Sequence, residues 1–275
     1  MGEERVNEDI VIGQGAIVSP LAIIGKGVEI GAYSIVHAGA EIGDDTSLQS
    51  HVVVHSGARI GKGNRIFTGA VIASPPQDLK YKDQPTIARI GDNNIIREFV
   101  TVNTSTDLSD ETTIGNNCLL MAYAHIAHNC HLGSNVILAN AVNLGGHIEI
   151  EDWAIIGGMV PIHQFTRIGC HIMVGGGFRV VQDLVPYMLY GRVPCEPIGV
   201  NTIGLRRRGF SSESILHLRE AFKVLFLRFD NIKDACKDLE DRLGDIEEIR
   251  HIIEFIRLSK RGLTTKRKTG REEED

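Results

Sequence analysis

With 275 residues, 43% of them hydrophobic, and 29 Lys and Arg against 35 Asp and Glu, the chain can bury a sizeable core and lacks the basic excess of a nucleic-acid binder. The opening MGEERVNEDI has no apolar leader region, and no stretch is long and apolar enough to span a membrane. Five cysteines, Cys118, Cys130, Cys170, Cys195 and Cys236, form no close-spaced pair and are odd in number, which argues against a disulfide framework and fits a reducing, cytoplasmic setting.

From Ile12 the chain keeps a six-residue clock. Of the 29 positions that are multiples of six between Ile12 and Val180, 27 hold Ile, Val or Leu, and only Asp78 and Gln84 break the series. A period of six fits neither helix nor simple strand; it predicts a parallel β-helix, whose coils have flat sides with one aliphatic residue pointing inward. Glycine follows the aliphatic residue at twelve places from Gly13 to Gly175. That recurrence predicts a corner with unusual backbone angles at the position after the core residue. Small residues two positions before the aliphatic, such as Ala40, Ala58, Cys118, Ala124, Cys130 and Ala154, are expected to fill the narrow interior beside each large one.

The breaks predict loops. Ser74 to Pro85 places prolines and charges where core residues belong, which predicts an excursion over 73–88. The polar run NTSTDLSD at 103–110 reads as a second irregular stretch, with Leu108 in register by coincidence. Past Val180 the clock stops, and Pro186, Pro194 and Pro197 predict a connector through 200. Ile215, Leu218, Phe222, Leu225 and Phe229 then follow helical spacing, with Ser211 or Ser212 as N-cap. Further helices are expected near 231–243 and 245–260. The expected class is all-β, a left-handed parallel β-helix (hexapeptide repeat) over 1–193, followed by a small all-α C-terminal domain over 194–262 and a disordered tail over 263–275. Residues 1–200 carry 12 basic and 20 acidic residues and residues 201–275 carry 17 and 15, so the helical end is the more basic and suits an acidic partner.

Histidines cluster on this scaffold. Ile126 points inward, so His125 and His128 point outward. On a coil of about 18 residues, as three six-residue sides imply, His147 and His163 fall above them on the same side of the prism. Three readings follow: chance clustering, a metal site of imidazoles, or a general base taking a proton from a hydroxyl. No acidic residue stands beside the column to support metal ligands, so general base chemistry is the favoured reading and no metal is expected.

The segments AHIAHNC (124–130), LGGH (144–147), IIGGMVPIHQF (155–165), GVNTIGLRRRGF (199–210) and PQDLKY (76–81) resemble the UDP-N-acetylglucosamine O-acyltransferases, which perform the first step of lipid A synthesis. The resemblance extends from residue 1 to about 262. It implies transfer of a 3-hydroxyacyl chain from acyl carrier protein to the sugar 3-hydroxyl, with no cofactor beyond the carrier's phosphopantetheine. It also implies a homotrimer with active sites between subunits. By matching position, His128 resembles the general base, beside Asn129, and the Gly146 amide resembles the oxyanion donor. Asp78, Lys80, His125, His147, His163 and Gln164 resemble residues that hold the sugar and the acyl head. Asn201, Arg207 and Arg208 resemble the nucleotide-side residues, and Gly176 resembles the residue at the end of the acyl groove.

The chain departs from the family at three places. Asn129 replaces the usual aspartate after the base, Asn103 to Thr106 replaces an HRGT segment, and Ile203 replaces a glutamate. These departures leave open a 3-amino UDP-sugar acceptor. The nearest rival is the later β-helix N-acyltransferase of the same pathway. That family usually carries an N-terminal nucleotide-binding domain, for which repeats beginning by Ile12 leave no space. A catalytically silent scaffold is the remaining reading.

Overall fold

The computed structural model describes residues 10–266. The leader reading at 1–9 and the tail at 267–275 lie outside the described residues. Two-residue strands recur on the clock, and Val11–Ile12 pairs in parallel with Glu29–Ile30. The register Ile12↔Ile30 sets a coil of 18 residues. Three sheets of eleven, eight and eight strands form the sides of a left-handed β-helix. We call the eleven-stranded sheet the first face. The sheet that begins at Ile17–Val18 is the second face and the one that begins at Ile23–Ile24 is the third.

The interior follows from the clock. Ile66, Ile72, Ile96, Leu120, Ile126 and Leu138 are wholly buried, with Ala58, Ala124 and Ala154 buried beside them. Small residues between large ones let the coils stack at interior packing density. The corner prediction needs correction. The left-handed residue is not the glycine after the aliphatic but the one three past it. It recurs as Tyr33, Asp45, His51, Asn93, Phe99, Asn117 and so on, with glycine at only some of these corners. The earlier glycines answer a different demand: a Cβ on Gly13 would stand 2.6 Å from the Ala32 backbone nitrogen of the next coil. Close approach of coils, rather than backbone angle, selects glycine there.

Both breaks are insertions. Ile60 pairs with Ile90, thirty positions on, so the excursion adds 12 residues (30 − 18) to a coil. Ile90 pairs with Ile114, so the second loop adds six (24 − 18). Each insertion is a multiple of six, which is why the clock survives both in sequence. Leu108, in the second loop, is 69% exposed and takes no part in the core.

The C-terminal part departs from expectation in four ways. The supposed connector contains a hairpin, Met188–Gly191 with Glu196–Val200, that extends the first face, so a division at 193/194 cuts through it. Helix α1 (Thr202–Arg207) then precedes α2 (Ser212–Lys223), which Ser211 caps. The helical spacing does not carry to Phe229: a widened π turn spans Val224–Arg228 and Phe229 is extended. Helices α3 (Ile232–Leu243) and α4 (Glu247–Arg257) follow. Residues 263–266 are not a disordered tail. Leu263 bridges Asp183, and the Thr264 N–H donates to the Asp183 carbonyl at 2.9 Å. The buried Asp183 carboxylate also accepts from the Arg167 N–H at 2.8 Å and the Ser259 hydroxyl at 2.6 Å. These bonds fasten the segment from Ser259 to Thr264 to the last coils.

Helix α4 is clamped to the prism by His251, whose Nε2 lies 2.8 Å from Glu151 Oε2. Hydrogen bonds to Cys170 and to Glu151 push the imidazole up to about 10, against the effect of burial. A histidine held above its unfolded value stabilises fully below about pH 6.5, and that stability is lost as pH rises through about 10. The side chain is 36% exposed. Solvent screening therefore reduces the contribution to about 1–2 kcal/mol. Urea unfolding of the wild type is expected to weaken more between pH 7 and 10 than that of His251→Gln; parallel pH profiles would count against the clamp.

Candidate active site

The histidine column lies at the corner joining the second and third faces. His125 occupies the strand His125–Ile126, and the buried Ile126 turns its neighbour outward. Asn129, His147 and Phe165 take the left-handed corner position in three successive coils. Stacked corners of this kind hold side chains in register one coil above another. His147 stacks on Phe165 at 4.6 Å between ring centroids, and His128 meets His147 edge-on at 5.1 Å. Burial, followed by the neighbouring His128, holds both His125 and His147 below the ordinary imidazole range. Both are therefore neutral near pH 7.

The hydrogen bonds around Asn129 fix the state of His128. Asn129 Oδ1 accepts from the Thr106 N–H at 3.0 Å, and its Nδ2 donates to Asp110 Oδ2 at 2.8 Å. A backbone N–H only donates and a carboxylate only accepts, so the amide has one orientation. His128 Nδ1 lies 3.0 Å from that same Oδ1 and must carry the proton. In the neutral ring Nε2 is then the acceptor. It faces the excursion loop, 3.9 Å from Asp78 Oδ2. Gly146 closes the other side: a Cβ there would lie 2.6 Å from His128 Nε2. Its N–H donates to no backbone acceptor among the described residues, whereas those of Gly145 and His147 donate to the Ile162 and His128 carbonyls.

The structure thus brings His125, His128, Asn129, Gly146, His147 and Asp78 to one corner. His163 sits one coil further along, where Arg261 Nη2 lies 2.7 Å from its Nδ1. The guanidinium can only donate, so this contact needs a bare Nδ1, whereas the Gln164 carbonyl oxygen 3.2 Å from the same nitrogen can only accept. Lys80 and Gln164 have exposed side chains nearby in sequence, and the Lys80 N–H donates to Asp78 Oδ1 at 2.8 Å. Asn201, Arg207 and Arg208 lie elsewhere, at the corner between the third and first faces. Asn201 is buried as the cap of α1, accepting from the Gly204 N–H and donating to the His171 carbonyl. Arg208 lies over the Trp153 ring at 5.2 Å, and Arg207 is exposed. Gly176 packs against the preceding coil, where a Cβ would stand 3.1 Å from the Gly158 carbonyl oxygen.

Sequence reasoning missed Thr106, Asp110, Phe165 and Arg261. His131, in the strand His131–Leu132 of the third face, lies 3.2 Å from Asp110. A cleft of about 650 Å³ opens beside the corner, lined by Asp110, Asn129, His131, His147, Phe165 and Arg261 among others. Among the described residues, the group spaced to hold a metal is Glu151, Cys170 and His251, at the other corner, and the histidine column is not such a group.

Comparison with known proteins places the chain. Residues 183–264 match the profile described as UDP-N-acetylglucosamine O-acyltransferase, domain 2, and residues 9–44 and 111–146 match bacterial transferase hexapeptide repeats. An acyl-(acyl-carrier-protein)–UDP-N-acetylglucosamine O-acyltransferase from Paraburkholderia phymatum is 42% identical over 73% of this chain and 78% of its own. The crystal structure of a UDP-N-acetylglucosamine acyltransferase from Bacteroides fragilis is 42% identical and superposes with a TM-score of 0.89, covering 90% of this chain and 97% of that one. The corresponding structure from Acinetobacter baumannii gives 0.88 at 37% identity, covering 94% and 100%. The chain belongs to the UDP-N-acetylglucosamine O-acyltransferase family.

Proposed function

We propose that His128 is the general base of an acyl transfer from acyl carrier protein to the 3-hydroxyl of UDP-N-acetylglucosamine, the acylation that opens lipid A synthesis. The enzyme is an acyl-carrier-protein-dependent O-acyltransferase. The observation that carries the role of His128 is its orientation: Nδ1 faces Asn129 Oδ1, which only accepts, and Nε2 faces the Asp78 and Gly146 side of the corner. Nε2 takes the sugar hydroxyl proton as the oxygen attacks the thioester carbonyl. The Gly146 N–H donates to the oxyanion that forms, and the imidazolium returns the proton to the departing phosphopantetheine thiolate.

His125, His147, His163, Gln164, Asp78 and Lys80 hold the sugar and the acyl head in this reading. Asn201, Arg207 and Arg208 serve the nucleotide side, Asn201 by shaping the turn that presents the two arginines. The acyl chain rides in on the carrier, and no further cofactor takes part. The arginines and the histidine column occupy different corners of one prism, which supports a homotrimer in which facing subunits complete each site. Exposed apolar side chains at the corner between the first and second faces support the same assembly: Phe99 stacks on Tyr123 at 5.1 Å, and Met159 is 70% exposed. A cytoplasmic location accords with both substrates.

The departure at 103–106 gives no support to a 3-amino acceptor. Asn103 is buried and donates to Ser74 Oγ at 2.8 Å and the Pro75 carbonyl at 3.1 Å, tying down the excursion loop. Purified protein supplied with 3-hydroxyacyl carrier protein is expected to acylate UDP-N-acetylglucosamine in preference to its 3-amino analogue. Absence of transfer to the hydroxyl sugar would refute the assignment.

A further inference from the structure

Asn129 stands where the resembled family has an aspartate, and a neutral amide brings no charge to His128. The charge lies one hydrogen bond further on. Asn129 Nδ2 donates to Asp110 Oδ2 at 2.8 Å while Oδ1 faces His128 Nδ1 at 3.0 Å. Asn129 is 1% exposed, so the amide end of both bonds is buried, while the Asp110 side chain is 35% exposed. A carboxylate drawing on the NH2 side of a conjugated amide increases the negative character of its carbonyl oxygen, the atom that holds His128 Nδ1–H. Thr106 secures the same oxygen through its N–H and its hydroxyl, each at 3.0 Å. The other carboxylate oxygen of Asp110 is 3.2 Å from His131 Nε2, and His131 Nδ1 is 3.0 Å from Thr113 Oγ1. Asp110 and Thr106 both belong to the six-residue insertion, so the second loop supplies what position 129 lacks.

The geometry assigns Asp110 as the positioning residue for His128, acting through the Asn129 amide. The assignment rests on His128 being the base. Asp110 never meets substrate in this scheme. It fixes the Asn129 orientation, which fixes the His128 tautomer, and it lends negative charge to the far end of the chain when His128 becomes an imidazolium. Other titratable groups facing the corner are Asp78, His125 and His147 around His128, with Asp107, Glu111 and His131 around Asp110.

A swap of the two side chains tests this. Asp110→Asn is expected to lower kcat about 10–100-fold, the scale on which a partner orienting a functional histidine acts. KM for UDP-N-acetylglucosamine should change little. The acidic limb of its kcat profile should move to lower pH, because His128 loses distant negative charge. The double variant Asn129→Asp with Asp110→Asn puts the carboxylate directly against His128 and keeps the hydrogen bond between the two positions. It is expected to recover to within a few-fold of wild type. Normal kcat and an unmoved acidic limb in Asp110→Asn, with His128→Ala inactive, would overturn the relay and leave the base in place. Full activity in His128→Ala would instead overturn the base. If Asp110→Asn folds poorly, the double variant decides: recovery supports the relay, and a folded double variant as slow as His128→Ala contradicts it.

Discussion

Replacing His128 with alanine is expected to lower kcat by about 10²–10⁴, the range for losing a positioned general base, while the fold remains intact. The corner does not depend on the imidazole. Ile126 anchors it from inside, Asn129 keeps its bonds to Thr106 and Asp110, and the His147 N–H donates to the backbone carbonyl of residue 128 rather than to its ring. What the substitution removes is the ring nitrogen, Nε2, that the Asn129 hydrogen bond leaves facing the Asp78 and Gly146 side of the corner. Initial rates of acyl transfer at saturating substrate, read beside thermal melting curves, check this. Transfer within a few-fold of wild type would place the base elsewhere.

Gly146→Ala is expected to reduce kcat about 100-fold, the cost associated with displacing a catalytic group by about an ångström. The position has no unusual backbone angle, so an alanine there is free of backbone strain. Its methyl carbon would lie 2.6 Å from His128 Nε2, well inside van der Waals contact, and the ring has to swing away. That motion takes Nε2 off the line to the sugar and breaks its geometry with Asn129. Because the damage runs through His128, the double variant with His128→Ala should be no slower than His128→Ala alone, a non-additivity expected of groups in contact. Additive losses would mean that Gly146 acts independently of the ring, and wild-type activity in Gly146→Ala would remove the crowding altogether.

The six-residue clock made the inward-facing set readable because each coil buries one aliphatic residue per side. It therefore also showed that His125 and His128 point outward and that 73–88 leaves the prism. The same regularity hid other features. The second loop adds six residues, a whole turn of the clock, so Leu108 kept time while lying on the surface. With it went Thr106 and Asp110, whose partnership with Asn129 depends on where the insertion folds and has no spacing signal. The corner angle was misassigned because glycine is common after the aliphatic residue, where neighbouring coils touch, whereas Tyr33, Phe99, Trp153 and Phe165 occupy the left-handed position. Arg261 reaches His163 across 98 residues of sequence, a contact that only the docking of the 259–264 segment against Asp183 creates. Helical spacing located α2 but could not foresee the π turn that ends it before Phe229, since an inserted residue leaves the apolar pattern almost unchanged.

The Thr106, Asn129 and Asp110 arrangement orients His128 so that, in the neutral ring, the proton stands on Nδ1 and Nε2 is free to receive one. Nitrogen-detected NMR of ¹⁵N-histidine-labelled protein, with His128 assigned by comparison with His128→Ala, measures this directly near pH 7.5. A pyrrole-type Nδ1 and a pyridine-type Nε2 are expected for His128. The reverse pattern, with the proton on Nε2, would contradict it.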